Sequence, residues 1–296
     1  MKIYDCFMYY DEDVVLDLRL NILDKYVDKF VIVESRYTHS GEKRTLLFDI
    51  NKFSKFKNKI NYIILDSEPD NLETIYKNDT DDKKNSKYIM NALKRENYQR
   101  NGITKGLSLA NPDDFIIISD VDEIPNLSEL NLNDIKNEII LFKQNFYYYK
   151  FNLKLEDMPW YGSKACKFKI FKTPQWLRNI KGKNYPFWRI DVLFSEKKYS
   201  NIKFIKNGGW HFSNMKTPFE IEKKMRTYLH HREYDIKPLG AKKIEEIIKN
   251  KKSIYNLRAD MKSDKIDGTQ DLKPTDGNEL PEFIKENKEK YSNWID

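Results

Sequence analysis

"DDFIIISDVDEIP", residues 113–125, is the stretch from which the rest of the chain can be read. Phe115 to Ile118 form an unbroken apolar run, Ser119 follows, and Asp120 and Asp122 then flank one valine before Pro125. A short apolar run without polar alternation is the pattern of a strand buried on both faces, as in a parallel sheet. Ligands of open parallel sheets bind beyond the carboxyl ends of the strands, so this strand delivers two acids to the functional edge. Alternation along extended backbone turns Asp120 and Asp122 to one side and Val121 to the other. Two neighbouring carboxylates repel unless a cation or a proton lies between them. A hard divalent ion, Mn²⁺ or Mg²⁺, bound through carboxylate oxygens and substrate phosphates, meets that need. The bland alternative is that the acids cap a helix opened by Pro125.

On the N-terminal side the pattern repeats. Residues 2–10 (KIYDCFMYY) read as a first strand ending at Asp11-Glu12-Asp13, and residues 29–35 (KFVIVES) as a second. Between them, apolar residues at 15, 18 and 22 and at 16, 20 and 23 make a broad amphipathic helix. Strand, helix, strand at this spacing implies a parallel pair with a right-handed crossover. Residues 59–68 read as a third strand, 69–87 as a polar loop, and about 88–110 as a long helix with Ile89, Leu93, Ile103 and Leu107 on one face. Glu96 and Arg100 fall in the gap on that face, either as a local ion pair or with Arg100 aimed into a site. Downstream, 138–153 and 163–171 read as β-structure, 172–210 as irregular, 217–231 and 241–251 as helices, and 263–283 as loop. The apolar face of the helix at 241–251 reads as core packing, with a lipid-surface contact as the alternative.

Composition bounds the classes. With 296 residues, 33% charged and 40% hydrophobic, the chain can bury one large core. Its net charge of +7 favours anionic partners. No dense Lys/Arg run with interleaved aromatics marks a nucleic-acid binder, which leaves phosphorylated small molecules as the simpler partner. Cys6 and Cys166 lie far apart and read as buried free thiols. The first residues meet charge before a signal-length apolar core develops, and no run approaches the roughly 18 apolar residues of a membrane span. A cytoplasmic location, at most membrane-peripheral, is expected.

One enzyme class shares the strand ending in Asp-x-Asp, the haloacid-dehalogenase-type phosphatases. Here Ile124 stands where those proteins carry Thr or Val, and the motif begins deep in the chain. A broader set of segments resembles glycosyltransferase family 17: residues 11–48, 96–107 (ENYQRNGITKGL), 113–125, 208–215 (GGWHFSNM) and 280–291 (LPEFIKENKEKY). They occur in the family's order along nearly the whole chain. The most specific are Glu-Ser-x-x-Thr-x-x-Gly, Asp-x-Asp-Glu-Ile-Pro and Gly-Trp-His-x-Ser.

The resemblance implies an α/β GT-A-like nucleotide-sugar-binding fold, a mostly parallel central sheet flanked by helices, with a C-terminal helical extension. It also implies a UDP-sugar donor, a divalent metal (Mn²⁺ or Mg²⁺) and inverting transfer of a sugar such as N-acetylglucosamine. The chain shows no internal repeat and no clear linker, so one domain is expected: a catalytic part over 1–235, its donor half about 1–125 and its acceptor half about 126–235, with 236–296 as an extension packed on the same domain. No anchor-like run precedes the first strand, so the expected acceptor is a glycan or glycolipid, such as a lipid-linked or surface glycan precursor. A non-catalytic carbohydrate-binding module is the alternative.

Asp120, Asp122 and His211 are the expected metal ligands, and Asp120 also faces the ribose or the metal's water shell. Glu34, Thr38, Gly41, Lys43, Arg100, Lys105 and Ser213 are the expected nucleotide contacts. For the base that takes the acceptor proton, Asp191 is favoured, with Glu123, Glu156 and Asp157 as further candidates. Tyr147, Trp160, Trp188 and Trp210 offer the ring faces that suit a sugar acceptor.

Overall fold

Among the described residues twelve strands follow one another as β1 (Ile3–Met8), β2 (Lys29–Ser35), β3 (Ile60–Leu65), β4 (Phe115–Asp120), β5 (Glu123–Pro125), β6 (Ile139–Phe142), β7 (Gln144–Tyr148), β8 (Leu153–Trp160), β9 (Lys164–Lys167), β10 (Ile202–Ile205), β11 (Gly209–Ser213) and β12 (Lys273–Pro274). The structure, a computed structural model, describes residues 1–131, 135–186, 188–229, 231–255 and 270–296. Seven strands form one sheet in the order β10-β6-β9-β4-β1-β2-β3, and five form a second in the order β12-β8-β7-β11-β5. In the first sheet β1 pairs parallel with β2 and β4, β2 pairs parallel with β3, and β10 with β6, while β9 runs antiparallel between β4 and β6.

The unalternating apolar strands are explained by burial on both faces. Phe7, Phe30, Ile32 and Ile117 pack into one core and Cys6, Val31, Val33, Ile116 and Ile118 into another on the opposite face. Helix α1 (Asp13–Leu23) supplies Leu16, Leu18, Leu20 and Leu23 to the first core. Ile103 and Leu107, in the turn of 3-10 helix after α2 (Asp81–Asn101), close the other face together with Leu177 of α3 (Pro174–Asn179). The remaining helices are α4 (Ile190–Leu193), α5 (Pro218–Thr227), α6 (His231–Ile236), α7 (Ala241–Lys249) and α8 (Glu282–Glu286). Behind the second sheet, Phe146, Tyr148, Leu153 and Leu155 meet Ile221 and Met225 of α5 and Ile244 of α7. The apolar residues Ile244 and Ile247 of α7 are therefore buried against protein.

Three expectations are corrected. Helix α2 begins at Asp81, seven residues before the apolar periodicity does. Thr80 accepts a hydrogen bond from the Lys83 amide, and Asp81 and Asp82 complement the helix dipole in the first turn. The stretch expected to be irregular, 172–210, contains α3, capped by Thr173 with Pro174 behind it, together with α4, β10 and the start of β11. The second sheet was not anticipated, because its strands are short and β8 (LKLEDMPW) mixes charges with apolar residues. Of the loop expected at 263–283, residues 263–269 lie outside the described residues.

Residues near the C-terminus return to the centre of the molecule. The Tyr291 hydroxyl donates to Asp17 at 2.6 Å, the Phe151 amide donates to the Trp294 carbonyl at 2.7 Å, and the Trp210 indole donates to the Glu279 carbonyl at 2.6 Å.

Candidate functional site

The step from one sheet to the other is the Asp-x-Asp segment itself. Asp120 ends β4, Val121 and Asp122 cross over, and Glu123 begins β5. A fully buried guanidinium secures the backbone there. Arg19 pairs with the buried Asp5 (Nε to Oδ2, 2.8 Å) and donates Nη1 to the carbonyls of Asp120, Val121 and Glu123 at 3.1, 3.2 and 2.8 Å. A charge inside the core is tolerated because each nitrogen of the guanidinium finds an acceptor and the Asp5 carboxylate balances it.

Glu123 points inward and is fully engaged. Its carboxylate accepts from the Asp120 amide and the Trp160 indole, both at 2.7 Å, and from Arg178 through two parallel bonds of 2.7 and 2.8 Å. A Cβ at Gly162 would lie 2.1 Å from the Glu123 carboxyl carbon, so a bare backbone is required beside it. Arg178 also reaches Asp120 at 2.8 Å, and Arg100 approaches the other Asp120 oxygen at 3.2 Å while pairing with Glu96 at 2.7 Å. Burial alone would raise the Asp120 pKa, but Arg178 and Arg100 outweigh it and hold the carboxyl below the usual carboxylate range. For Arg178 burial acts to lower the pKa, and Asp120 and Glu123 more than reverse that.

Asp122 has different company. Strand β11 pairs antiparallel with β5 so that His211 sits opposite Glu123, and the Phe212 amide donates to the Asp122 carbonyl at 2.8 Å. That pairing brings a histidine from 89 positions downstream to 3.6 Å from the Asp122 carboxylate, Nε2 to Oδ2. The imidazole packs against both Phe146 (4.1 Å between centroids) and Trp160 (4.8 Å), which also touch each other, and its buried Nδ1 has no hydrogen-bond partner among the described residues. Gly209 makes the pairing feasible, with φ at +119° and the space for a Cβ occupied by the Ile124 carbonyl oxygen 2.1 Å away. Burial would raise the Asp122 pKa; His211 and Lys224 lower it further than burial raises it.

A cavity of about 370 Å³ opens at this point, at the carboxyl ends of β1, β2 and β4. Tyr9, Tyr10, Thr38, His39 and Gln99 line one side, Asp120 to Glu123 the floor, and Trp160, Arg178, His211, Ser213, Asn214 and Lys224 the other. Asp122 and His211 fit a hard divalent ion: one carboxylate and one imidazole converge on open space at a separation too long for a direct hydrogen bond. Among the described residues no cluster of three or more His, Cys, Asp or Glu is arranged to hold a metal, so further ligands would have to come from a bound phosphate or water.

The sequence profile of Glycosyltransferase family 17 matches residues 1–295 of this chain. The chain belongs to glycosyltransferase family 17. It is also similar to human and rat β-1,4-mannosyl-glycoprotein 4-β-N-acetylglucosaminyltransferase, each 31% identical over 115 residues. Those residues are 38% of this chain and 19% of each relative, so the match spans about a fifth of the relatives' length.

Within this family member the cavity gathers Thr38, Asp120, Asp122, Glu123, Trp160, His211 and Ser213 of the expected residues. Arg100 stands just behind the lining, against Asp120. The others are placed elsewhere. Glu34 is fully buried and accepts from Arg44, Tyr62 and the amides of Leu47 and Phe48, which folds the loop after β2. Gly41 turns that loop against Arg95, and Lys43 and Lys105 are exposed outside the cavity. Asp191 lies on the one-turn helix α4, exposed and paired with Arg189 at 2.8 Å and Lys198 at 2.6 Å. Glu156 is at the surface against Lys273, and the Asp157 side chain lies outside what the structure describes. Tyr147 and Trp210 are core residues facing Glu279, and Trp188 is exposed on a separate loop. As for Asp120, two arginines occupy the carboxylate that was expected to bind metal.

Two residues central to the site escaped sequence reading. Arg178 sits in TPQWLRN, a segment with no motif, and only the packing of α3 on β4 and β9 brings it to Asp120 and Glu123. Lys224 had a readable signal. It falls on the same face of α5 as the buried Ile221 and Met225, an inward lysine on an amphipathic helix.

Proposed function

We propose that this chain is a GT-A-type, metal-dependent, inverting transferase that moves a sugar, N-acetylglucosamine by analogy with the named relatives, from a UDP-sugar to a glycan hydroxyl. The observation that carries the reading is the facing pair Asp122 and His211 in a cavity at the carboxyl ends of parallel strands. In this reading that pair holds Mn²⁺ or Mg²⁺, which when bound acts as a Lewis acid on the donor diphosphate. Asp120, clamped by two arginines, orients the loop instead of serving as a nucleophile.

Lys224 completes the charge. Of the two Lys and Arg side chains that line the cavity among the described residues, Arg178 is committed to Asp120 and Glu123, whereas the Lys224 ammonium has no hydrogen bond or ion pair among them. An ammonium facing the metal loop offsets the charge that develops on the leaving diphosphate. Ser213 and Asn214, the latter at φ +56°, present polar groups beside it. Tyr9, Tyr10, Thr38 and His39 wall the end of the cavity nearest β1 and β2, where the nucleoside would lie, and Trp160 the end nearest the second sheet, where a sugar ring would stack.

Transfer is one displacement: the acceptor oxygen bonds to the anomeric carbon from the face opposite the diphosphate, a carboxylate takes its proton, and the bond from that carbon to the diphosphate oxygen breaks to release UDP. Glu123 is spent, Asp120 is clamped and Glu96 is paired with Arg100, which leaves Glu12, also lining the cavity, for the base. The test is calorimetric binding of UDP and UDP-N-acetylglucosamine with and without Mn²⁺, on wild type and Asp122→Ala. The reading expects Mn²⁺-dependent binding that the variant loses with its melting temperature preserved. Absence of nucleotide binding to wild type under every condition would overturn it.

A further inference from the structure

Between α3 and β10 the chain leaves the body of the protein as a closed loop. Its arms are tied by the Lys181 amide donating to the Lys197 carbonyl at 2.8 Å and the Tyr185 amide donating to the Tyr199 carbonyl at 3.1 Å. Beyond those ties, its tip carries Trp188, Ile190 and Phe194, which are 71%, 72% and 86% exposed. Ile190 and Phe194 are four residues apart across the single turn α4, so they project to one side. Such a concentration of exposed large apolar side chains carries a standing solvation cost and marks a contact surface.

Charge identifies the contact. Residues 181–206 contain seven Lys and Arg against two acids, a net +5 within a chain whose total is +7. Both acids are already neutralised, Asp191 by Arg189 and Lys198, and Glu196 by Lys172. Lys181, Lys183, Lys197, Lys203 and Lys206 remain exposed around and below the arms, with no ion pair among the described residues. An apolar tip over a cationic base matches an anionic bilayer: Trp and Phe enter the headgroup boundary and the lysines meet the phosphates. No helix among the described residues is long and apolar enough to cross a membrane.

We propose that the loop tip, through Trp188, Ile190 and Phe194, docks this protein onto an anionic lipid surface. The docking is independent of the transferase reading.

The test is co-sedimentation with vesicles of phosphatidylcholine alone and of phosphatidylcholine with about 30% phosphatidylglycerol, for wild type and the Ile190→Glu/Phe194→Glu double variant. Wild type is expected to bind the anionic vesicles and the double variant at least about tenfold more weakly, with its melting temperature and UDP binding unchanged. Brominated lipid should quench wild-type tryptophan fluorescence, and Trp188→Phe should remove that quenching. Equal sedimentation of wild type and double variant would reduce the contact to charge alone and overturn insertion. Two other outcomes also overturn it. One is self-association in the absence of lipid that the double variant abolishes, which makes the occupant a second copy. The other is a change in Trp188 fluorescence on adding UDP-sugar without vesicles, which makes the loop a lid.

Discussion

Two aspartates one residue apart have opposite fates. Asp120 is neutralised by Arg178 and Arg100, and Asp122 faces His211, so the repulsion expected of paired carboxylates is relieved by protein cations on one side only. A pH dependence follows. The Asp120 carboxyl is held below its ordinary 3.8, so the unfolded chain binds more protons in that window. Its contribution to stability is complete above about pH 5 and drains as the pH falls through the lowered value. Arg178→Met should cost about 3 kcal/mol or more, because it strands two carboxylates, and should flatten the acid limb of a melting-temperature profile. An unchanged limb would mean that Arg178 does not set the Asp120 charge. Lys224→Met should weaken UDP about 10- to 100-fold, the worth of one charged hydrogen bond, and leave uridine unaffected. Lys224→Arg should recover part of the loss in the same calorimetry. At this scale Asp122 and His211 were legible because carboxylate and imidazole chemistry is visible in residue type. Arg178 was not, since an arginine in a short capped helix looks like any surface charge.

The elements explain how distant residues meet. Strand β5 is only three residues long, yet its pairing with β11 sets His211 beside Asp122 and ties Phe212 to the Asp122 carbonyl. Gly209 is the hinge of that pairing. Gly209→Ala puts a methyl against the Ile124 carbonyl at a left-handed φ and should cost at least about 3 kcal/mol. The prediction is a lowered melting temperature together with loss of Mn²⁺-dependent nucleotide affinity in the fraction still folded; intact affinity would show that β5 and β11 need not pair for the site to form. Apolar strands β1, β2 and β4 were legible because both their faces are buried, whereas β5, β8 and β11 lie in a second sheet whose short segments carry no clean period. Helix α2 shows the same limit at its start, where a threonine cap and two aspartates begin a helix before any apolar residue announces it.

Across the whole molecule, the last residues hold the two sheets together. Leu280 and Ile284 join the core under α1, Tyr291 bonds Asp17, and Trp294 receives the Phe151 amide. Removing residues 280–296 should therefore lower the melting temperature of the entire molecule in one transition, rather than trimming an independent tail. A second, unshifted transition in calorimetry would contradict that. The chain by itself determined the apolar strands, the acids at the end of β4, the amphipathic helix between β1 and β2, and the motifs that resemble family 17. Each of these is a local pattern, set by burial on both faces or by residue chemistry within a few positions. Only the tertiary structure decided which acid stays open, which cations are spent, and which aromatics reach the cavity. Glu34, Tyr147 and Trp210 carried the right chemistry but were drawn into buried contacts, and Asp191 was left at the surface. Those outcomes depend on contacts between residues tens to more than a hundred positions apart, such as Arg19 under Asp120 and Arg178 over Glu123, and local pattern holds no record of them.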